Sequence, residues 1–183
     1  MADEKECPRI IFASGTFNET MTSAIIAKLI TFEQMDPTKP ISLYIDSYGG
    51  QLHSFLAIHD MIKLCRCDVA TIVVGKAMSC GQMLLMSGTK GKRFATKNST
   101  ILMHPLSSMN AGNIHQLDNS MTESKRLQNV INGLVTDYSK ITKKELTELM
   151  SKDSYLTADQ ALKLGIIDHI ITKPSDLAKY LHK

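Results

Sequence analysis

The chain has 183 residues, a net charge of +3 and 43% hydrophobic residues. That supplies one core and leaves little room for a second domain, so residues 1–183 are read as a single domain. The mild, mixed charge excludes the basic block that nucleic-acid binding needs.

Other classes fall away on similar grounds. No apolar run approaches the roughly 20 residues of a membrane span, and the charged start MADEKEC lacks a secretion signal's apolar centre. Cys65 and Cys67 form a C-x-C with no second pair to complete a zinc site, and Cys7 and Cys80 stand apart. A soluble, cytoplasmic protein with reduced thiols is expected, without metal or organic cofactor and without a membrane or nucleic-acid partner.

Along the chain, RIIFASG (Arg9 to Gly15) reads as a strand closed by a turn. The next segment places Met21, Ile25, Leu29 and Ile26, Ile30 at helical intervals, and Pro37 and Pro40 end it. ISLYID (Ile41 to Asp46) is a strand, SYGG a turn, and HSFLAIHDMIKLC a second helix built on Phe55, Ile58 and Ile62. DVATIVVG is the third strand, and helix resumes near Cys80. Two short strands flank a turn at Lys97 and Asn98. From about 113 to 138 the apolar residues Ile114, Leu117, Met121, Val130, Ile131, Leu134 and Tyr138 recur at helical spacing, which predicts one long helix. Thr142 to Glu145 and Thr157 to Gln160 read as capping boxes, with Gly165 as a helix stop, IIDHII as a late strand and SDLAKYLH as a final helix. The alternation predicts an α/β domain of right-handed βαβ units.

Four features carry chemistry. Ser79 stands between a strand and a helix in AMSCG, where a nucleophile's Oγ is exposed at a strand's end. The first free helix amides, Cys80 foremost, could donate to an oxyanion there. Taken alone, a serine in this place is more often an ordinary N-cap. Gly49 and Gly50 lie in a strand–helix connection that permits close backbone approach, or simply makes a turn. His104 ends TILMH and would serve as the base a serine needs, although His53, His59, His115, His169 and His182 are equally available by composition. Asp153, between a helix and a strand, is one acid among many.

In order, ISLYIDSYGG, GKAMSCGQMLLMSGTKGKRFATKNSTILMH and KDSYLTADQALKLGIID resemble the segments of the ClpP family, the proteolytic subunits of Clp proteases, within the ClpP/crotonase superfamily. The resemblance runs from about Ile10 to Ile171. Gly50 lies 29 residues before Ser79, His104 lies 25 after it, and Asp153 lies 49 after His104, in step with that family. The resemblance implies the ClpP/crotonase-like fold of repeated β-β-α or βαβ units with a projecting handle helix. It implies Ser79 as nucleophile, His104 as base and Asp153 as its orienting group. It further implies Gly50 and Cys80 as oxyanion-hole amides, and an extended substrate along Gly49, Gln51 and Leu52 on one side and Leu106, Ser107 and Ser108 on the other. The activity implied is hydrolysis of peptides or unfolded proteins by a homo-oligomer of two stacked seven-membered rings, served by an AAA+ unfoldase.

The chain also departs from the family. Tyr48 stands where the family has a proline, Pro105 follows His104 directly where a glutamine usually intervenes, and Ser107 and Ser108 replace glycines. Only Met1 to Pro8 precede the first strand, which predicts a shortened member without the axial loop that an unfoldase uses. Two alternatives remain at this level: a catalytically silent ring component and, further off, a crotonase-like acyl-CoA enzyme. The latter would need acidic groups beside the oxyanion hole.

Overall fold

The computed structural model describes residues 8–107, 109 and 111–181. The short N-terminal segment, Cys7, Ser108 and His182 therefore lie outside the described residues. Seven strands and seven helices among the described residues make a mixed α/β fold.

The first half is three βα units. Strand β1 (Ile10–Phe17) leads to α1 (Glu19–Met35), β2 (Ile41–Gly50) to α2 (Leu52–Leu64), and β3 (Val69–Met78) to α3 (Cys80–Met86). The strands pair in parallel in the order β1-β2-β3. Helix α1 starts where the Asn18 side chain accepts the Met21 amide, and it buries Ile25, Leu29 and Phe32. Each such side chain contributes about 1.5–3 kcal/mol by leaving water. Ile30, expected on the same stripe, is 40% exposed, because the buried face is narrower than the run of apolar residues. Val69 to Val73 are buried without alternation, as befits the central strand of a parallel sheet covered on both faces.

Strand β3 changes partner half-way. Thr71–Val73 pair with β4 (Arg93–Thr96), and Lys76–Met78 pair with β5 (Thr100–Met103). The change falls at Gly75, whose φ of +87° suits a residue without Cβ. At the same level the pairing of β1 with β2 slips between Ser14 and Thr16, and that of β2 with β3 slips between Ile45 and Ser47. The whole sheet therefore bends there, as bulged strands do. Asp46 fills the space beside Gly75 and holds Lys76 at 2.7 Å. Both β1 and β2 run on past this bend. Phe17 closes β1, and SYGG, expected as a turn, is the paired end of β2.

The second half adds β6 (Ser154–Thr157), antiparallel to β5, and β7 (His169–Ile171), parallel to β4. Helix α4 (Ile114–Tyr138) opens with an Asn113–Gln116 capping box. Leu127, Ile131 and Val135, four residues apart, anchor its C-terminal half in the core. In its N-terminal half Ile114, Leu117 and Met121 stay exposed at 83%, 40% and 54%. Buried Arg93 ties the helix base down: it donates to the Tyr138 carbonyl and pairs in bidentate fashion with Asp168 at 2.9 and 2.7 Å. Burial pushes the Asp168 carboxyl up, but the Arg93 contacts outweigh it and hold it below its ordinary range. Helices α5 (Lys143–Leu149) and α6 (Ala158–Lys163) carry the two capping boxes, and α7 (Pro174–Leu181) lays Leu177 and Tyr180 near Ile72 and Phe94.

Candidate active site

The bend and the split of β3 together build one end of the sheet. Met78 pairs with Leu102, and the Ser79 amide donates to the Leu102 carbonyl at 3.0 Å. Ser79 and His104 thus leave the ends of neighbouring parallel strands. In the antiparallel pair Met103 faces Ser154, so the next positions outward are His104 and Asp153. The three residues come from distant stretches of chain and stand at one end of the adjacent strands β3, β5 and β6. This neighbourhood depends on β6 pairing with β5, which separation along the chain does not reveal. Among the described residues, no hydrogen bond joins Ser79 to His104 or His104 to Asp153. Catalytic hydrogen bonds are often long in the absence of substrate.

Ser79 occupies the N-cap position of α3 but does not act as a cap: its side chain accepts no helix amide. Its φ and ψ are 54° and −121°, and it is the one non-glycine with positive φ among the described residues. A serine held there stores roughly 1–3 kcal/mol of strain that its surroundings must hold in place. Gly49 leaves the room for it, since a Cβ there would lie 2.7 Å from the Ser79 Cβ and 3.2 Å from its Oγ. Gly50 (φ +148°) is equally confined, because a Cβ there would meet the Phe17 backbone at 2.5 Å. Ser47, buried beneath, accepts the Gly49 amide at 3.0 Å and donates to the Gly15 carbonyl. That serine fixes the connection where the family's proline is absent. Tyr48 points outward, 72% exposed, under the Lys76 ammonium at 4.4 Å.

A cleft of about 230 Å³ opens over this point. The end of β2 contributes Gly50, Gln51 and Leu52, the β3–α3 junction Ser79 and Cys80, and the segment after β5 His104, Leu106 and Ser107. Gly49 backs Ser79 from behind, and Asp153 stands exposed at the entry to β6, outside the cleft lining. The Cys80 thiol is turned inward with Sγ 3.4 Å from the Gly50 carbonyl, and burial pushes its pKa up to about 11. It is a packing group rather than a nucleophile. One expected substrate contact is already occupied: the Leu106 amide donates to Gln128 Oε1 of α4 at 2.7 Å, and Pro105 has no amide to offer.

The sequence reading missed the cleft's inner wall. Gln82, Met83, Ile131 and Met150 line it. Gln82 and Met83 follow Ser79 by one helical turn, a spacing that could have disclosed them. Ile131 and Met150 gave no such signal, since only packing of α4 and the end of α5 brings them in.

The model of the Clp protease family matches residues 6–174. The chain belongs to the Clp protease family. Proteins named ATP-dependent Clp protease proteolytic subunit, from three strains of Dehalococcoides mccartyi, are each 36% identical to it over 168 residues, covering 92% of this chain and 84% of theirs. Membership sets aside the acyl-CoA alternative. The mixed α/β architecture with its parallel sheet accords with this family's fold. No helix among the described residues is long and apolar enough to cross a membrane.

Proposed function

We infer that the chain is a serine endopeptidase subunit and a single peptidase domain, in which Ser79, His104 and Asp153 act as a triad. The observation that carries this reading is the shared end of β3, β5 and β6, where Ser79 is held in a left-handed conformation with its hydroxyl at the cleft. His104 takes the Ser79 proton as Oγ attacks the scissile carbonyl, and Asp153 holds the imidazole and balances the charge it gains. The developing oxyanion lies against the Gly50 and Cys80 amides. The C–N bond then breaks as His104 returns the proton to the departing amine, and water hydrolyses the ester by the same route. Substrate lies extended between Gly49–Leu52 and the Leu106–Ser107 segment.

Assembly follows from surfaces that a lone subunit leaves exposed. The apolar stripe Ile114, Leu117 and Met121 on projecting α4 suits interleaving with copies of itself in a two-ring, seven-membered chamber. Phe12, 65% exposed and stacked on Tyr44 at 5.6 Å, begins a second apolar surface that an unfoldase partner would cover. The substrates are unfolded proteins, and the compartment is the cytoplasm.

The test is an active-site probe. A fluorophosphonate labels Ser79 in folded protein and fails on Ser79→Ala. A silent ring component predicts no labelling of the wild type, and that result would overturn the peptidase reading.

A further inference from the structure

The inner wall of the cleft contains a polar group that the hydrolysis does not use. Gln82 is 1% exposed, yet it lines the cleft one helical turn beyond Ser79. Its amide nitrogen donates to the Met86 thioether, a weak acceptor. Among the described residues no hydrogen bond uses its carbonyl oxygen. No fully buried side-chain oxygen among the described residues lacks a partner, so the small area this side chain keeps exposed is at that oxygen, in the wall of the cleft. Around it stand Met83, Ile131 and Met150, all apolar. The pocket is therefore greasy along its sides and polar at one point, the composition of a specificity site.

The geometry points to Gln82 as the residue that selects the side chain preceding the cut, favouring glutamine there. The inference rests on the peptidase reading above and deepens it. When the scissile carbonyl sits at Ser79 Oγ with its oxygen toward the Cys80 amide, the side chain on its acyl side turns toward the helical turn beyond Ser79. Gln82 and Met83 form that turn. Two methylenes of a substrate glutamine pack on Met83 and Ile131, and its amide hydrogens reach the idle Gln82 oxygen. A leucine or methionine fills the same volume but leaves that oxygen unpaired. A lysine would donate as well but carries a charge into an apolar pocket at greater cost.

The experiment compares fluorogenic peptides identical except for glutamine, methionine or leucine before the cut. Wild-type protein is expected to cleave the glutamine peptide with kcat/KM at least equal to that of the methionine peptide, which has similar length and no donor. In Gln82→Leu and Gln82→Met the glutamine-to-methionine ratio is expected to fall about tenfold. A wild-type ratio below one, or a ratio indifferent to both substitutions, overturns the inference and leaves the peptidase reading standing. The wild-type comparison holds even if the variants fold badly. Wild-type protein that takes the fluorophosphonate on Ser79 but rejects glutamine refutes only the specificity, whereas protein that neither labels nor cleaves any peptide removes both.

Discussion

A Cβ placed on Gly49 would lie 2.7 Å from the Cβ of Ser79, closer than two such atoms come. The absence of a side chain at one residue is what leaves room for the other. Gly49 also has φ +106°, which an L-residue rarely adopts. Gly49→Ala is therefore expected to push Ser79 out of line and to cost roughly 1–3 kcal/mol of stability. Serine-probe labelling and thermal unfolding read both effects, and undiminished labelling would contradict the contact.

Cys80 and Ser79 are neighbours with opposite expectations. The Cys80 thiol is buried and its proton firmly held, so in the proposed mechanism Cys80 acts through its backbone amide. Cys80→Ala should keep serine labelling within a few-fold and leave a small cavity, whereas Ser79→Ala abolishes it. Loss of labelling in Cys80→Ala with the fold intact would show that the side chain takes part.

Within the triad the losses should be unequal. His104→Ala removes the base and should lower kcat by roughly a millionfold, and Asp153→Ala by roughly ten-thousand-fold, as in other serine proteases where the base matters more than its orienter. Equal losses would indicate that Asp153 does more than orient. Single-turnover peptide cleavage distinguishes these cases.

Gln128 Oε1 accepts the Leu106 amide at 2.7 Å, the donor that the proposed extended substrate would need. Gln128→Leu keeps the volume and frees that donor, so the KM for peptides should fall about fivefold, the equivalent of one net hydrogen bond, with kcat little changed. A rise in KM would mean that Gln128 holds the segment in its productive position instead.

His59 gives the stability a pH dependence. It is buried between Phe55 and Tyr138, its Nδ1 lies 2.8 Å from Ser87 Oγ, and Lys63 and Asp60 are the charges near it. Burial first, then Lys63, holds its pKa below 6.5, against the smaller opposing effect of Asp60. The unfolded chain thus binds a proton that the folded one refuses, and stability is lost as pH falls below about 6.5. The unfolding midpoint should drop between pH 7.5 and pH 5.5, and His59→Phe should flatten that drop. An unchanged slope would assign the effect elsewhere.

Much of this molecule was legible in one dimension. The helical stripes, the two capping boxes and the β-branched runs follow from periodicities of 3.6 and 2, which depend on local backbone geometry. Ser79, His104 and Asp153 could be named because their surroundings resemble a known family's, segment by segment. Local pattern failed where distant chain decides. SYGG reads as a turn, but Phe17 and Thr16 pair with it and make it strand. Ser79 reads as a cap, but its amide is bonded to Leu102 on the neighbouring strand and its φ is positive in the room Gly49 leaves, so its hydroxyl caps no helix amide.

The sequence by itself determined which residues are candidates for chemistry and most of the elements that hold them, because residue type and spacing are local properties. Only the tertiary structure decided their company. The β5–β6 register sets Asp153 opposite His104, packing of α4 brings Ile131 to the cleft and Gln128 to the Leu106 amide, and the first turn of α3 places Gln82 in the cleft wall. Each depends on contacts between residues far apart in the chain, whose cost in chain entropy is met only when the whole core forms.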